Sequence, residues 1–242
     1  MKKLLPLFIL IFGCQFHSHS QSYKYTLSLG GGVAQSYTDV QNSFNPQKVF
    51  HINADYLLKE FVSVGAEYQY GTLINGISEA DKIEGVNYGY LAGYFENDFK
   101  QLNINAKVGL GQFADYKNND FLRKIRGLYV GAGVGLITTN LKNNQRNYKY
   151  SGGTITYLLP GSEIERMISV PLNVGIDLYF KTKSLRPLAL GINTQVNVVP
   201  NDRLDGYDND YNKRKDLYGF TSLSLKYRFG YTNIFTSNIS PR

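Results

Sequence analysis

Six charged residues occupy equivalent positions in segments whose side chains alternate between polar and apolar. They are Asp55, Glu67, Asp177, Lys107, Lys226 and Arg228. Each falls in the polar register of its segment, so the alternation predicts that all six lie on one face of a β-sheet. Opposite charges that share an enclosed surface must pair, because an unpaired charge away from water is costly. The sequence therefore predicts a network of ion pairs on that face.

The chain offers little for catalysis. With an N-terminal leader removed, His51 is the one remaining histidine, and it shares a face with Asn53 and Asp55. A Ser/His/Asp site needs such a base beside a nucleophile. No Gly-x-Ser-x-Gly elbow is present, and the nearest serine, Ser43, falls in a predicted loop. We expect no enzyme and a structural His51; the alternative is a membrane-embedded lipid-modifying enzyme with His51 as its base.

Metal and phosphate motifs are also weak. Asp205, Asp208 and Asp210 lack the Asp-x-Asp-x-Asp-Gly spacing of a calcium loop, so we expect a solvated acidic loop, with calcium binding as the alternative. The run Gly30 to Gly32 lies inside an alternating segment rather than before a helix, where a phosphate cradle would be. Barrel curvature accounts for it better. The sequence predicts no cofactor and no metal.

Eight segments carry the two-residue period, and most exceed the five or six residues of an ordinary strand. The predicted strands are Tyr23–Tyr37, Val49–Leu58, Phe61–Ile74, Gln101–Asp115, Ile125–Thr139, Met167–Phe180, Pro187–Val199 and Leu217–Gly230. Their apolar faces are about five residues tall, which matches the apolar band of a bilayer. This predicts an all-β fold, an antiparallel up-and-down transmembrane barrel of eight strands. A soluble barrel or sandwich with an apolar core would show the same alternation and is the alternative.

Short and long connections alternate along the chain. The short ones are Lys59–Glu60, Tyr116–Lys124 and Lys181–Arg186, and the long ones are Thr38–Lys48, Asn75–Lys100, Asn140–Arg166 and Pro200–Asp216. Outer-membrane barrels distribute periplasmic turns and extracellular loops in this way. Extra strands in Gly85–Phe95 and Tyr148–Leu159 would give ten, which is the alternative to eight.

The first residues read as a secretory signal. Lys2 and Lys3 precede the apolar run Leu4–Phe12, and small residues lead to a cleavage position before Gln21. We expect a signal peptide over 1–20, a barrel over 21–230 and a short periplasmic tail over 231–242, with the product in the outer membrane. Cys14, the single cysteine, leaves with the leader unless it is lipidated. Without Lys2 and Lys3 the net charge falls from +7 to +5, and no basic cluster marks a nucleic-acid site.

Two segments carry a family resemblance. The run from Asp202 to Gly206, continued by Asp216 to Gly230, resembles the last loop and closing strand of OmpA-like barrels, and Tyr129 to Gly135 resembles another strand of that family. The resemblance implies an outer-membrane barrel. Two-domain members add a peptidoglycan-binding domain, which the dozen or so residues after the closing strand do not provide, so a wall-anchoring role is not carried over.

These observations predict a structural or interaction protein of the outer membrane. Its long loops would contact an extracellular or envelope partner, and ion pairs would plug its lumen. Expected partners are outer-membrane lipid and the barrel-assembly machinery, with no nucleic acid. The alternative is a small or gated channel that opens when the lumen pairs rearrange.

Overall fold

The computed structural model describes twelve stretches of the chain. They are residues 22–38, 44–59, 61–76, 94–110, 125, 127–144, 147–149, 156–158, 162–180, 186–201, 203–206 and 215–232. Several predicted features lie outside these stretches: the leader with Cys14, the loop residues Ser43, Asp208 and Asp210, a possible strand before Tyr94, and the tail beyond residue 232.

Ten strands make up the described structure. They are β1 (Ser22–Tyr37), β2 (Gln47–Lys59), β3 (Val62–Gly76), β4 (Tyr94–Gly109), β5 (Leu128–Asn144), β6 (Asn147–Lys149), β7 (Thr156–Leu158), β8 (Ile164–Tyr179), β9 (Leu188–Val199) and β10 (Asp216–Thr232). In the described ranges, no helix is long and apolar enough to cross a membrane.

Eight of the strands close into an antiparallel barrel in the order β1-β10-β9-β8-β5-β4-β3-β2. Apart from the long connection that holds β6 and β7, neighbours in the chain are neighbours in the barrel, and β10 closes it against β1. The eight-stranded prediction is confirmed. The Tyr148–Leu159 region does contain short strands, but β6 and β7 pair with each other as a separate two-stranded sheet, so the ten-stranded alternative is wrong.

Strand β4 begins seven residues earlier than the sequence predicts, at Tyr94 rather than Gln101. The missed stretch inverts the pattern of the rest of the strand, because Phe95 and Phe99 are buried inside while Glu96, Asp98 and Lys100 alternate with them outward. With apolar residues inside and charges outside, this part resembles a soluble barrel. The polar residues of this stretch do not continue the polar inner face of the strand, so the sequence predicts a loop here.

The exterior of the barrel is apolar over most of its height. Outward side chains are among the most exposed in the molecule, including Leu29 at 67%, Phe50 at 62% and Leu136 at 63%. Every one of the eight strands contributes such residues, and we call the surface that they form the apolar belt. Its described members include Tyr25, Leu27, Leu29, Phe50, Ile52, Tyr68, Leu102, Ile104, Val130, Val134, Leu136, Ile168, Val170, Leu172, Val174, Ile192, Val196, Leu223, Leu225 and Phe229. The predicted apolar face is therefore the outer face, and the alternative of a soluble barrel with a wholly apolar core is wrong.

Glycines make room for the polar interior. A Cβ placed on Gly133 of β5 would collide with the Asn105 side chain and with the Ile104 carbonyl oxygen of β4. On Gly135 it would collide with the Asn103 side chain. The predicted role of the glycines on the polar face, to fit a narrow lumen, agrees with these close approaches.

Substitution of Gly133 by Val should destabilise the barrel by about 1 to 3 kcal/mol, because the added atoms have no space beside the β4 backbone. Ala132→Val, one residue away on the outer face, is the matched control and should be tolerated, since its side chain is exposed. Urea unfolding of protein refolded in detergent or vesicles measures both. Equal effects of the two substitutions would contradict the inward packing of Gly133.

Candidate functional site

Two ion pairs lie inside the barrel, toward its short-turn end. Lys107 Nζ of β4 lies 2.9 Å from Asp55 Oδ1 of β2, and Lys226 Nζ of β10 lies 2.7 Å from Asp177 Oδ1 of β8. The side chains are no more than 17% exposed in either pair. Each pair joins strands that are not adjacent, so its side chains reach across an intervening strand.

The intervening strand supplies a glycine at each crossing. A Cβ on Gly65 of β3 would collide with the Asp55 carboxylate, and a Cβ on Gly191 of β9 would collide with the Lys226 side chain. Because no side chain stands between them, acid and base two strands apart come within ion-pair distance.

Tyr129 links the two ion pairs. The ammonium of Lys226 lies 5.2 Å from the centre of its ring and that of Lys107 lies 5.8 Å away, both within cation–π range. Its hydroxyl donates to Asn193 Oδ1 of β9 at 3.1 Å, passing over Gly175 of β8. We call the group Asp55, Lys107, Tyr129, Asp177 and Lys226 the ionic layer.

A layer of amide side chains lies on the loop side of the ionic layer and spans the full width of the lumen. Its members are Gln69, Gln101, Asn103, Gln195 and Asn197, with Glu67 and the hydroxyl of Tyr218. Gln69 of β3 donates to Gln195 of β9 at 3.2 Å, and Gln101 of β4 donates to Asn197 of β9 at 2.9 Å. These strands lie on opposite sides of the barrel, so the bonds cross the lumen and obstruct it.

Glu67 belongs to this amide layer. Its carboxylate accepts hydrogen bonds from Gln69 and, at 3.4 Å, from Asn103. Among the described residues no cation lies within ion-pair distance of it. The structure therefore places Glu67 among amides, which supply donors to a buried carboxylate without adding a charge.

Above the amide layer the interior becomes apolar. We call this cluster the apolar plug; it comprises Ala34, Val49, Leu73, Phe95, Phe99, Ile137, Met167, Val199, Leu204, Tyr218 and Phe220. The rings of Phe99 and Tyr218 meet with their centroids 5.2 Å apart, and the Tyr218 hydroxyl reaches down to Gln69 at 3.1 Å. The plug and the amide layer are thus continuous.

Leu204 enters the plug from the long β9–β10 connection. Its side chain is fully buried, its backbone N–H donates to Asp216 Oδ2 at 2.8 Å, and its carbonyl accepts from Asn97 Nδ2 at 2.6 Å. Both backbone groups of a buried loop residue are thereby satisfied. Residues 203–206 of the connection therefore place a buried side chain inside the loop end of the barrel.

Arg228 lies at the opposite end, near the short turns. Its guanidinium stacks 4.8 Å from the ring centre of Tyr23 and 4.4 Å from that of Tyr179, and it donates to the carbonyl oxygen of Arg186. Arg228 is therefore separate from the ionic layer. Of the other five charged residues predicted on the polar face, four belong to the ionic layer and Glu67 belongs to the amide layer.

His51 is buried at 6% exposure beside the ionic layer. Its ring meets Phe220 edge-on at 5.6 Å, lies over Gly30, and makes no hydrogen bond with a described residue. Within the described residues, no three His, Cys, Asp or Glu side chains are grouped to hold a metal ion. Asp205 is buried in the loop that carries Leu204 rather than solvated as the sequence predicts.

Sequence reasoning missed the apolar plug. Val49, Leu73 and Ile137 share the inward register of the polar residues next to them, so strand parity alone would have placed them inside. Leu204 offered no such signal, because a loop residue has no periodic neighbours.

Substitution of Asp55 by Asn should reduce the free energy of unfolding by about 3 kcal/mol, because it leaves the buried Lys107 ammonium without its carboxylate. The double variant Asp55→Asn/Lys107→Met should recover much of this loss, since no charge is left unpaired. Asp98→Asn, which breaks the pair with the solvent-exposed Lys142, is the control and should have little effect, because the ammonium that loses its partner stays hydrated. A double variant less stable than Asp55→Asn, by urea unfolding, would contradict the pairing.

Comparison with known proteins supports the fold and nothing narrower. No family model matches the chain, and no curated protein does. Among solved structures, surface protein A of Neisseria is 12% identical, with a TM-score of 0.50 over 87% of this chain and all of its own. The attachment invasion locus protein of Yersinia pestis is 14% identical, with a TM-score of 0.43 over 86% of this chain and 99% of its own. The first likeness, with the closed barrel, shows that the chain has the fold of eight-stranded outer-membrane barrels.

Proposed function

We propose that this protein is a non-catalytic barrel of the outer membrane that holds its long loops at the cell surface and keeps its lumen closed. The apolar belt carries the proposal. Exposed Leu, Ile, Val and Phe side chains surround all eight strands, and such a surface is stable only against an apolar medium. A closed barrel suits that medium because it leaves no unpaired strand edge.

The height of the belt fits a bilayer. Five outward positions at a two-residue period cover about 26 Å along a strand, and a tilt near 40° reduces this to about 20 Å along the barrel axis. The apolar band of outer-membrane barrels is about 25 Å tall. Tyr25, Tyr227 and Phe229 stack near the short-turn end, where an aromatic girdle would meet the headgroups.

A closed lumen favours a display role over transport. The ion pairs, the amide layer and the apolar plug follow one another along the barrel axis, and bonds between opposite walls cross the space that a solute would need. The four long connections all leave the other end of the barrel from the short turns, as loops placed for contact with a partner do.

An epitope tag inserted in the β3–β4 connection, within residues 77–93, should be detected by antibody on intact cells. The same tag between β2 and β3, at residue 60, should be detected only after the outer membrane is permeabilised, because the short turns face the periplasm in the proposed orientation. Heat-dependent migration on a gel serves as the control that each tagged protein forms a barrel. Detection of the residue-60 tag on intact cells would reverse the orientation and contradict the display role.

Wild-type protein in planar bilayers should give no steady conductance. A variant with Leu204→Asp, Gln69→Ala and Gln101→Ala should conduct, because it expels Leu204 from the plug and removes both amide bonds across the lumen. Single-channel recording checks both. Steady currents from wild type would contradict the closed lumen and favour the small or gated channel.

A further inference from the structure

Two basic side chains lie side by side on the outer wall near its loop end. Lys100 of β4 and Arg166 of β8 are both register partners of Thr138 in β5, and both are exposed. Register partners point to the same side of a sheet, so all three side chains face outward. Two strand spacings separate the cations, which puts their backbones roughly 10 Å apart.

The cations stand directly at the edge of the apolar belt. In each of the three strands the next outward residue toward the short-turn end is apolar: Leu102, Leu136 and Ile168, exposed by 52%, 63% and 56%. A lipid whose acyl chains lie against these residues has its headgroup at the level of Lys100 and Arg166.

Neither cation is neutralised within the described part of the chain, where no carboxylate lies within ion-pair distance of Lys100 or Arg166. The adjacent acid on the outer face, Asp98, is already engaged, because it accepts from Thr72 at 2.8 Å and pairs with Lys142 at 2.7 Å. Glu165, next to Arg166, has the opposite parity in β8 and lies 3.8 Å from Arg203.

The remaining outer wall is different. The described outward positions of β1, β3, β9 and β10 carry no charged side chain. Toward the loop end of β2 one outward position is charged, Lys48, and it has no charged neighbour on the described outer wall. The sector formed by β4, β5 and β8 is therefore the part of the described outer wall where two unpaired cations lie side by side.

We propose that Lys100 and Arg166 bind the phosphate groups of a phosphorylated glycolipid in the outer leaflet. This inference rests on the proposed function, which places the loop end of the barrel at the cell surface. A guanidinium binds phosphate through two parallel hydrogen bonds, and an ammonium binds it as a compact charge. Thr138 between them offers a hydroxyl donor, and a neutral headgroup would leave both cations unpaired.

The test compares wild type with Lys100→Gln/Arg166→Gln in phosphatidylcholine vesicles that contain a minor fraction of bisphosphorylated lipid A. The lipid A that stays bound after detergent release is measured by native mass spectrometry. Wild type should retain about 25-fold more than the double variant, since each cation at a membrane surface contributes roughly a factor of five to the affinity for an anionic lipid.

Two single variants are the matched controls. Lys59→Gln removes an exposed lysine at the short-turn end, and Lys48→Gln removes an exposed, outward lysine at the loop end of β2, outside the sector formed by β4, β5 and β8. Both should retain lipid A as wild type does. Dephosphorylated lipid A should be retained poorly by all forms.

Three results would overturn the inference. The first is equal retention of lipid A by wild type and the double variant while both migrate as heat-modifiable barrels. That result would remove the lipid site and leave the proposed function intact. The second is equally strong retention of phosphatidylglycerol, which replaces the glycolipid by a phospholipid. The third is failure of wild type to insert into vesicles or to show heat-dependent migration, which removes the proposed function as well.

Discussion

Polar side chains inside a narrow barrel with an apolar exterior have little access to bulk water, so they must satisfy one another. Buried charge is the most demanding case, and the barrel meets it with two ion pairs, each of which reaches over one intervening strand, linked by Tyr129. The glycines of the intervening strands follow from the same constraint, because a side chain at Gly65 or Gly191 would separate acid from base. The buried ion pairs therefore also determine where glycine must occur in the strands that they cross.

The interior changes character along the barrel axis. The ion pairs lie toward the short-turn end, and the amides follow. The apolar plug fills the loop end, where β4 and β5 extend beyond the belt and carry charges outward. The wall therefore reverses its polarity: polar inside and apolar outside within the belt, and the opposite beyond it. That reversal follows the surrounding solvent, since the extended end meets water and can bury apolar side chains in the ordinary way.

Strand periodicity was enough to predict eight strands, the outer face and the inward position of Asp55, Lys107, Asp177 and Lys226. It could not assign partners, because the pairing of Lys107 with Asp55 rather than with Glu67 depends on the stagger of the strands around the closed barrel. The start of β4 was missed because its alternation is inverted. Leu204 was missed because its burial depends on the path of a loop, which has no period.

The crossings over glycine bear on how the barrel can come apart. Asp55–Lys107 crosses β3, Asp177–Lys226 crosses β9, Tyr129–Asn193 crosses β8, and the edge-on contact of His51 with Phe220 crosses β1. On either side of each crossed strand, the backbone ladder is reinforced by a contact between its two neighbours. A strand cannot peel away from one neighbour without disturbing side chains that belong to the next. Separation of two neighbouring strands at these crossings therefore requires several side-chain contacts to break together. The barrel wall opens cooperatively rather than one strand at a time.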